Sequence, residues 1–147
     1  MQASYKKLLS VLAINTVLMY LITYAMIASV EHFHVNVNRF YMALMMVAPM
    51  AVVMLFAMRS MYEDKKLNAV LAVAFGALFV ASFALARTQT LVGDEQFLRS
   101  MIPHHSSAIL MCEESAISDP EIVALCETIV AAQKEEIAQM ESLLERQ

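Results

Sequence analysis

Hydrophobic residues fall in three long uncharged runs in the first two thirds of the chain. The runs cover about residues 8–30, 40–58 and 67–86 and contain no Asp, Glu, Lys or Arg. Each holds about 20 residues, which is the length that a helix needs to cross a hydrocarbon core about 30 Å thick. The pattern therefore predicts three transmembrane helices, which make residues 1–93 a membrane anchor.

The pattern becomes amphipathic and helical over residues 94–147. Asp94 is a candidate N-cap for a fourth helix, while Asp119 and Pro120 suit the N-cap and first position of a fifth. A connection this short predicts an antiparallel helical hairpin. The fold class is thus all-α, with three transmembrane helices followed by an extracytoplasmic hairpin. A single hairpin buries little apolar surface, so we expect oligomerisation to complete a four-helix bundle.

Composition supports a membrane protein and excludes one class of partner. Hydrophobic residues make up 60% of the chain and charged residues 16%, whereas soluble domains average about 45–50% and 25%. Residues 1–93 hold seven basic and three acidic side chains, and residues 94–147 hold three basic and eleven acidic ones. An acidic C-terminal region argues against nucleic-acid binding, which requires a basic patch.

Basic residues next to the apolar runs predict the orientation in the membrane. Five of them lie before the first run or between the second and third: Lys6, Lys7, Arg59, Lys65 and Lys66. On the opposite side only Arg39 and Arg87 lie close to the runs. Cytoplasmic loops carry the excess of Lys and Arg. We therefore expect a bacterial cytoplasmic membrane protein with a cytoplasmic N-terminus and a periplasmic or extracellular hairpin.

Candidate metal ligands follow helical spacing in both halves of the hairpin. The fourth helix carries Met101, His104, His105, Ala108, Met111 and Cys112, and the fifth carries Cys126, Gln133, Glu136 and Met140. Residues three, four and seven apart share a helix face, so the two stripes are expected to meet. His with Met suits Cu(I), and His with Glu suits iron or Cu(II). The metal-free alternative is one buried His satisfied by Glu136 and one exposed His.

The two cysteines are level when the hairpin is folded at its turn. Cys112 and Cys126 are each seven residues from Asp119. Outside the cytoplasm such a pair most often forms a disulfide. Two thiolates that bind a soft metal, or unpaired packing, are the alternatives. A structural zinc site is not expected, because no CxxC or zinc-finger spacing is present.

Two further sets of residues are candidate metal ligands, and each also has an interpretation without metal. The second run carries a methionine every four residues: Met42, Met46, Met50, Met54 and Met58. Such a stripe is either a thioether track for Cu(I) or Ag(I) or simple packing, and the adaptability of Met favours packing. The loop before that run carries His32 and His34. This pair is able to chelate a metal, but a solvated loop is the favoured interpretation.

The run from Phe97 to Met111 (FLRSMIPHHSSAILM), with later residues of the fifth helix, resembles the family called domain of unknown function 305. The resemblance covers residues 94–147 and leaves the three-helix anchor outside. It implies a helical, ferritin-like protein, periplasmic or membrane-anchored, with copper or silver binding and tolerance in some members. By this resemblance the motif positions are Met101, His104, His105, Met111, Gln133, Glu136 and Met140. The Cys pair departs from the general pattern.

These observations lead to one main functional hypothesis and two alternatives. The main one is a metal-binding protein that captures or buffers copper, or silver, on the outer face of the membrane. The first alternative is a metal-free assembly module that oligomerises through its hairpin. The second is a ferritin-like oxidoreductase with an iron or copper centre. The predicted hairpin, residues 94–147, contains none of the Glu-x-x-His motifs that di-iron bundles carry on their helices, which favours a binding protein over an enzyme. The expected partners are the lipid bilayer, the metal ion and further copies of the chain.

Overall fold

Helices account for the regular secondary structure of the protein. The structure is a computed structural model that describes residues 3–147, and within that range it contains no strand. Five α-helices follow one another: α1 (Ala3–Ile22), α2 (Val37–Ala57), α3 (Lys65–Arg87), α4 (Asp94–Glu114) and α5 (Pro120–Leu144). A single 3₁₀ turn, Val30–His32, precedes α2. The all-α prediction is confirmed for the described residues.

Three of the helices, α1 to α3, are long and apolar enough to cross a membrane. The bounds of α2 and α3 lie within three residues of the predicted runs. The first helix ends at Ile22 rather than near residue 30. The cause is a pair of hydrogen bonds. The hydroxyl of Tyr24 donates to the carbonyl of His34 at 2.6 Å, and the side chain of Asn36 donates to Tyr24 Oη at 3.1 Å. These bonds hold the chain in a loop, although its sequence remains apolar.

The N-caps of α4 and α5 differ in whether a side chain bonds to the helix start. The carboxylate of Asp119 accepts from the backbone N–H groups of Glu121 and Ile122, which confirms it as the N-cap of α5. The predicted N-cap of α4 is wrong by one residue. Gly93 takes that position without a side-chain bond. Asp94 is the first helical residue, where its negative charge interacts favourably with the positive end of the helix dipole.

The chain divides into two compact units. The anchor unit contains residues 3–23 and Asn38–Thr90, and the paired-helix unit contains Tyr24–Val37 and Leu91–Gln147. The predicted boundary at residues 93 and 94 leaves the loop 24–37 with the anchor. In the structure this loop belongs with α4, because Val37 N–H donates to the side chain of Gln96 and Ala28 N–H donates to Ser106.

The anchor unit packs around one buried tyrosine near the start of α1. The hydroxyl of Tyr5, a residue with 0% exposure, donates to Asn68 Oδ1 at 2.8 Å and accepts from the N–H of Asp64 at 3.2 Å. These bonds satisfy a polar group that would be costly to leave unpaired in an apolar interior. The apolar residues of the same cluster are Leu8, Leu12, Val47, Ala51, Leu55 and Tyr62.

The paired-helix unit buries one face of α4 against α5. Its core consists of Leu98, Ile102, Ile109, Ile137 and Met140, with Met101, Val130 and Leu144 packed against it. The buried face of α4 is rotated from the predicted stripe, so that His104 is exposed and Met111 is 58% exposed. Burial of leucine and isoleucine gains more free energy than burial of imidazole, which decides the rotation.

Candidate metal centre

His105 is the predicted ligand that lies closest to a partner across the two helices. Its Nδ1 lies 3.0 Å from Oε2 of Glu136 on α5, and its side chain is 14% exposed. The contact has the distance of a hydrogen bond but not the direction, because Nδ1 is buried without a correctly aligned partner. The imidazole is therefore held beside a carboxylate that does not fully satisfy it.

Glu136 is positioned in turn by its own helix. Gln133, one turn earlier on α5, donates from Nε2 to Glu136 Oε2 at 3.2 Å. The same carboxylate oxygen thus faces both the amide of Gln133 and the imidazole of His105. The structure brings these three predicted residues together in one polar group.

His104 occupies a different face of α4. Adjacent helical residues point about 100° apart, and the two imidazole centroids are 6.0 Å apart with the rings in an edge-to-face arrangement. His104 is exposed, whereas His105 is half-buried. Of the two neighbouring histidines, only His105 therefore contacts α5.

Two of the three predicted methionine ligands lie in the core of the paired-helix unit. Met140 is 8% exposed, and Met101 packs against the same cluster. Met101 precedes His105 by four residues and Glu136 precedes Met140 by four, so each pair shares a helix face. Met111 is not part of this arrangement, because it is largely exposed.

The two cysteines form a disulfide between α4 and α5. Cys112 and Cys126 have a Cα–Cα separation of 5.3 Å and close a segment of 14 residues. Their sulfur atoms are therefore not available as thiolate ligands in this form of the protein. In addition to the disulfide, Lys134 and Glu113 form an exposed ion pair at 2.9 Å between the same helices.

The loop histidines contact α4, and sequence reasoning missed this. His32 Nδ1 lies 2.8 Å from the hydroxyl of Ser106, which also accepts from the N–H of Ala28 at 2.8 Å. Ser106 has 0% exposure. The loop is solvated at Val30 and Val35, which are exposed, but the side chains of His32 and His34 are partly buried because the loop contacts α4. The spacing of the two histidines was the only feature of the sequence that marked this loop. No periodicity relates the histidines to Ser106, so their contact with α4 was not predicted.

His34 presents a second buried imidazole nitrogen without a hydrogen-bond partner. Its Nε2 is buried although the whole side chain is only half-buried. Burial lowers the pKa of His34 from its ordinary value, Arg99 and His32 lower it further, and Glu141 opposes them. The neutral ring is thus favoured, which is also the form that binds metals.

The methionine stripe of α2 lies partly on the surface and partly in the core of the anchor unit. Met42 and Met46 are 49% and 38% exposed, whereas Met54 packs against the buried cluster. Between them, Met50 Sδ accepts a bond of 3.1 Å from the side-chain amide of Asn15 on α1. The thioether thereby satisfies a polar group inside an apolar helix pair.

The donor set determines which metals suit the paired-helix unit. Among residues 3–147, no three or more His, Cys, Asp or Glu residues are grouped so that they could hold a metal ion. The helices bring together one imidazole and one carboxylate, those of His105 and Glu136, and the thioethers of Met101 and Met140 lie in the apolar core between the same helices. A set that depends on thioether sulfur suits Cu(I) or Ag(I) better than zinc or calcium.

Comparison with known proteins gives a family match and a viral relative. The family model described as Domain of unknown function (DUF305) matches residues 54–144. "Uncharacterized protein L153" of Acanthamoeba polyphaga mimivirus is 34% identical over 119 residues, which are 80% of this chain and 76% of that protein. No solved structure matches significantly. The family that the Phe97–Met111 run predicts is therefore confirmed, and the match extends beyond residues 94–147, because it begins at the end of α2 and includes α3.

Proposed function

We propose that this chain, which belongs to the family described as Domain of unknown function (DUF305), is a membrane-anchored protein that captures or buffers copper on the outer face of the cytoplasmic membrane. Silver is the alternative metal, since it has the same preference for soft ligands. The observation that carries the proposal is the half-buried imidazole of His105, held 3.0 Å from Glu136 beside a core that contains Met101 and Met140.

Each predicted residue then has a chemical role. Glu136 next to Nδ1 favours the proton on that nitrogen and leaves Nε2 as the donor atom, as carboxylates commonly do for metal-binding histidines. Gln133 fixes the carboxylate. Met101 and Met140 supply thioether sulfur. His104 and Met111 are both exposed and lie about 10 Å apart along α4, so each is a separate outer donor that the ion can meet first.

The location of the hairpin is part of the same proposal. The excess of basic residues at the start of α1 and between α2 and α3 favours a cytoplasmic location for that end. The Cys112–Cys126 disulfide supports an oxidising compartment for α4 and α5, since cytosolic thiols are kept reduced. Together they support a periplasmic or extracellular antiparallel hairpin.

One observation favours the second candidate function, a metal-free assembly module. Three exposed residues of α4, Phe97, His104 and Met111, recur every seven residues, which is the heptad spacing of a helix–helix seam. Phe97 is 52% exposed, and the loop 24–37 contacts α4 elsewhere, at Gln96, Arg99 and Ser106. A second copy that packs on this face would complete a four-helix bundle.

The test is an anaerobic Cu(I) titration of the full chain in detergent against a competing chelator. We expect His105→Gln to raise the Kd for Cu(I) more than tenfold, and Glu136→Gln to raise it by about 10–100-fold. His32→Gln is the matched control, because it removes an imidazole that is bonded to Ser106 rather than to Glu136. An unchanged Kd in the double variant His104→Gln/His105→Gln would refute the copper proposal.

The molar mass of the same samples separates the two functions. A copper-binding protein keeps its Kd when the seam is blocked by Phe97→Glu, whose side chain contributes no predicted ligand. An assembly module loses its higher mass in that variant and binds no copper in any form. Multi-angle light scattering with and without Cu(I) gives both readings on one preparation.

A further inference from the structure

A cavity of about 410 Å³ lies at one end of the anchor unit, where α2 ends and α3 begins. Its apolar wall is formed by Leu55, Phe56, Tyr62 and Ala69, and its charged residues are Arg59, Glu63 and Lys65. Leu55 and Tyr62 are buried, whereas Phe56 is 70% exposed. The cavity therefore combines an apolar wall with a rim that carries a net positive charge.

The floor of this cavity is fixed by bonds around Tyr5. The rings of Tyr5 and Tyr62 are 5.3 Å apart, and Asn68 donates from its side chain to the carbonyl of Tyr62 at 2.7 Å. The hydroxyl of Tyr5 contacts Asn68 and the N–H of Asp64. A site held in this way is preformed, so a ligand does not have to order it.

We propose that this cavity binds a phospholipid with an anionic headgroup, whose phosphate lies between Arg59 and Lys65 and whose acyl chain lies along Phe56. The two cations follow the end of α2 and begin α3, both of which are long enough to cross a membrane, so they lie at the level where lipid phosphates lie. Among residues 3–147, neither cation takes part in an ion pair of the kind that joins Lys134 to Glu113.

The positive charge at this end of the anchor unit favours an anionic lipid over a zwitterionic one. This end of the unit carries Lys6, Lys7, Arg59, Lys65 and Lys66 against Glu63 and Asp64. The carboxylate of Asp64 accepts from two backbone N–H groups at the start of α3 and is thus already engaged. Basic pockets between membrane helices recognise anionic headgroups. Glu63 remains at the rim, where it suits a headgroup hydroxyl such as that of glycerol.

Native mass spectrometry of the full chain in detergent tests the site by titration with phosphatidylglycerol, phosphatidylethanolamine and glycerol 3-phosphate. We expect phosphatidylglycerol to bind at one site, and Arg59→Gln/Lys65→Gln to weaken that binding by about tenfold or more. The matched control is Lys6→Gln/Lys66→Gln, which removes two charges at the same end outside the cavity. We expect the control to retain most of the affinity.

Three results would overturn the proposal. An equal loss in both double variants would mean that bulk charge, not the cavity, attracts the lipid. Equal binding of phosphatidylethanolamine would remove the preference for an anionic headgroup. Equal binding of glycerol 3-phosphate would mean that the acyl chain contributes nothing and that a free phosphate compound is the ligand. None of these results depends on copper, because every residue involved lies in the anchor unit.

Discussion

The helices of the anchor unit and helix α4 of the paired-helix unit place their aliphatic side chains differently. In the anchor unit Val53, Phe56 and Val73 are 63%, 70% and 72% exposed. In the paired-helix unit the largest aliphatic side chains of α4 point inward, and Ile102 has 0% exposure. Lipid is as apolar as the side chains that contact it, so outward-facing valine is favourable there.

The polar groups of the two units also follow from this difference. Within the anchor helices, the side chain of Asn15 bonds to Met50 of the same unit, which satisfies an amide that a hydrocarbon surrounding would leave without water. In the paired-helix unit, the charged residues Lys134 and Glu113 lie on the surface. An apolar pattern alone thus does not say which side of a helix is buried, because the surrounding solvent decides it.

The largest expected effect comes from emptying the core of the paired-helix unit. Ile102→Ala should reduce the free energy of opening of α4 and α5 by about 4 kcal/mol, because it removes three buried carbons and leaves a cavity. Val53→Ala, on the exposed face of α2, should cost less than about 1 kcal/mol, since lipid fills the space. Amide hydrogen exchange in bicelles measures both. A cost for Val53→Ala equal to that for Ile102→Ala would contradict the contrast between the units.

A charge placed on two largely exposed valines gives the next largest effect. Val73 of α3 and Val30 of the loop are 72% and 86% exposed. Val73→Lys should cost about 3 kcal/mol of membrane insertion because the ammonium enters the hydrocarbon core, whereas Val30→Lys should change stability by about 0.5 kcal/mol or less. Glycosylation mapping gives the inserted fraction. Full insertion of both variants would mean that α3 is not surrounded by lipid.

The smallest effect is a dependence on pH of the paired-helix unit. The folded pKa of His34 is lowered below 6.5, so the unfolded chain binds more protons than the folded one just below that pH. Stability contributed by His34 is fully present above about pH 6.5 and is lost as pH falls towards the folded pKa. Exchange rates of α4 amides should therefore rise between pH 7 and 5, after correction for intrinsic exchange.

The variant His34→Gln tests the origin of that dependence. It should flatten the slope below pH 6.5, whereas a comparison at pH 8, where the wild-type ring is neutral, gives the intrinsic cost of the substitution. Arg99, Glu141 and His32 are the charged or titratable groups that act on His34. A slope that persists unchanged in His34→Gln would assign the pH dependence to other residues.

Local signals predicted the helices well, and long-range contacts account for the errors. Charge-free runs located α2 and α3 to within three residues, and Asp119 with Pro120 fixed the start of α5. The first helix was predicted too long because residues 23–30 are apolar. Their loop structure depends on Tyr24 bonding to His34, ten residues away, and on Ala28 bonding to Ser106, 78 residues away. No periodicity encodes such bonds.

The candidate site was predictable where helix counting applies. Counting from Asp119 placed Cys112 level with Cys126, and the structure joins them in a disulfide. Helix counting did not predict which face of α4 is buried, because two faces have helical spacing. One carries the methionines and histidines, and the other carries the isoleucines. The contact of His105 with Glu136 depends on which stripe is buried. Whether these residues bind copper remains a prediction.

The disulfide has a mechanical consequence for the paired-helix unit. A covalent tie near one end of two packed helices restricts their relative movement to pivoting about that end. His105 is seven residues from Cys112, about 10 Å along the helix, and Leu98 is fourteen residues away, about 21 Å. Any angular opening therefore displaces Leu98 about twice as far as His105. The two helices pivot about Cys112, and the His105 imidazole, which lies nearer to that pivot, always moves less than the end of α4 at Leu98.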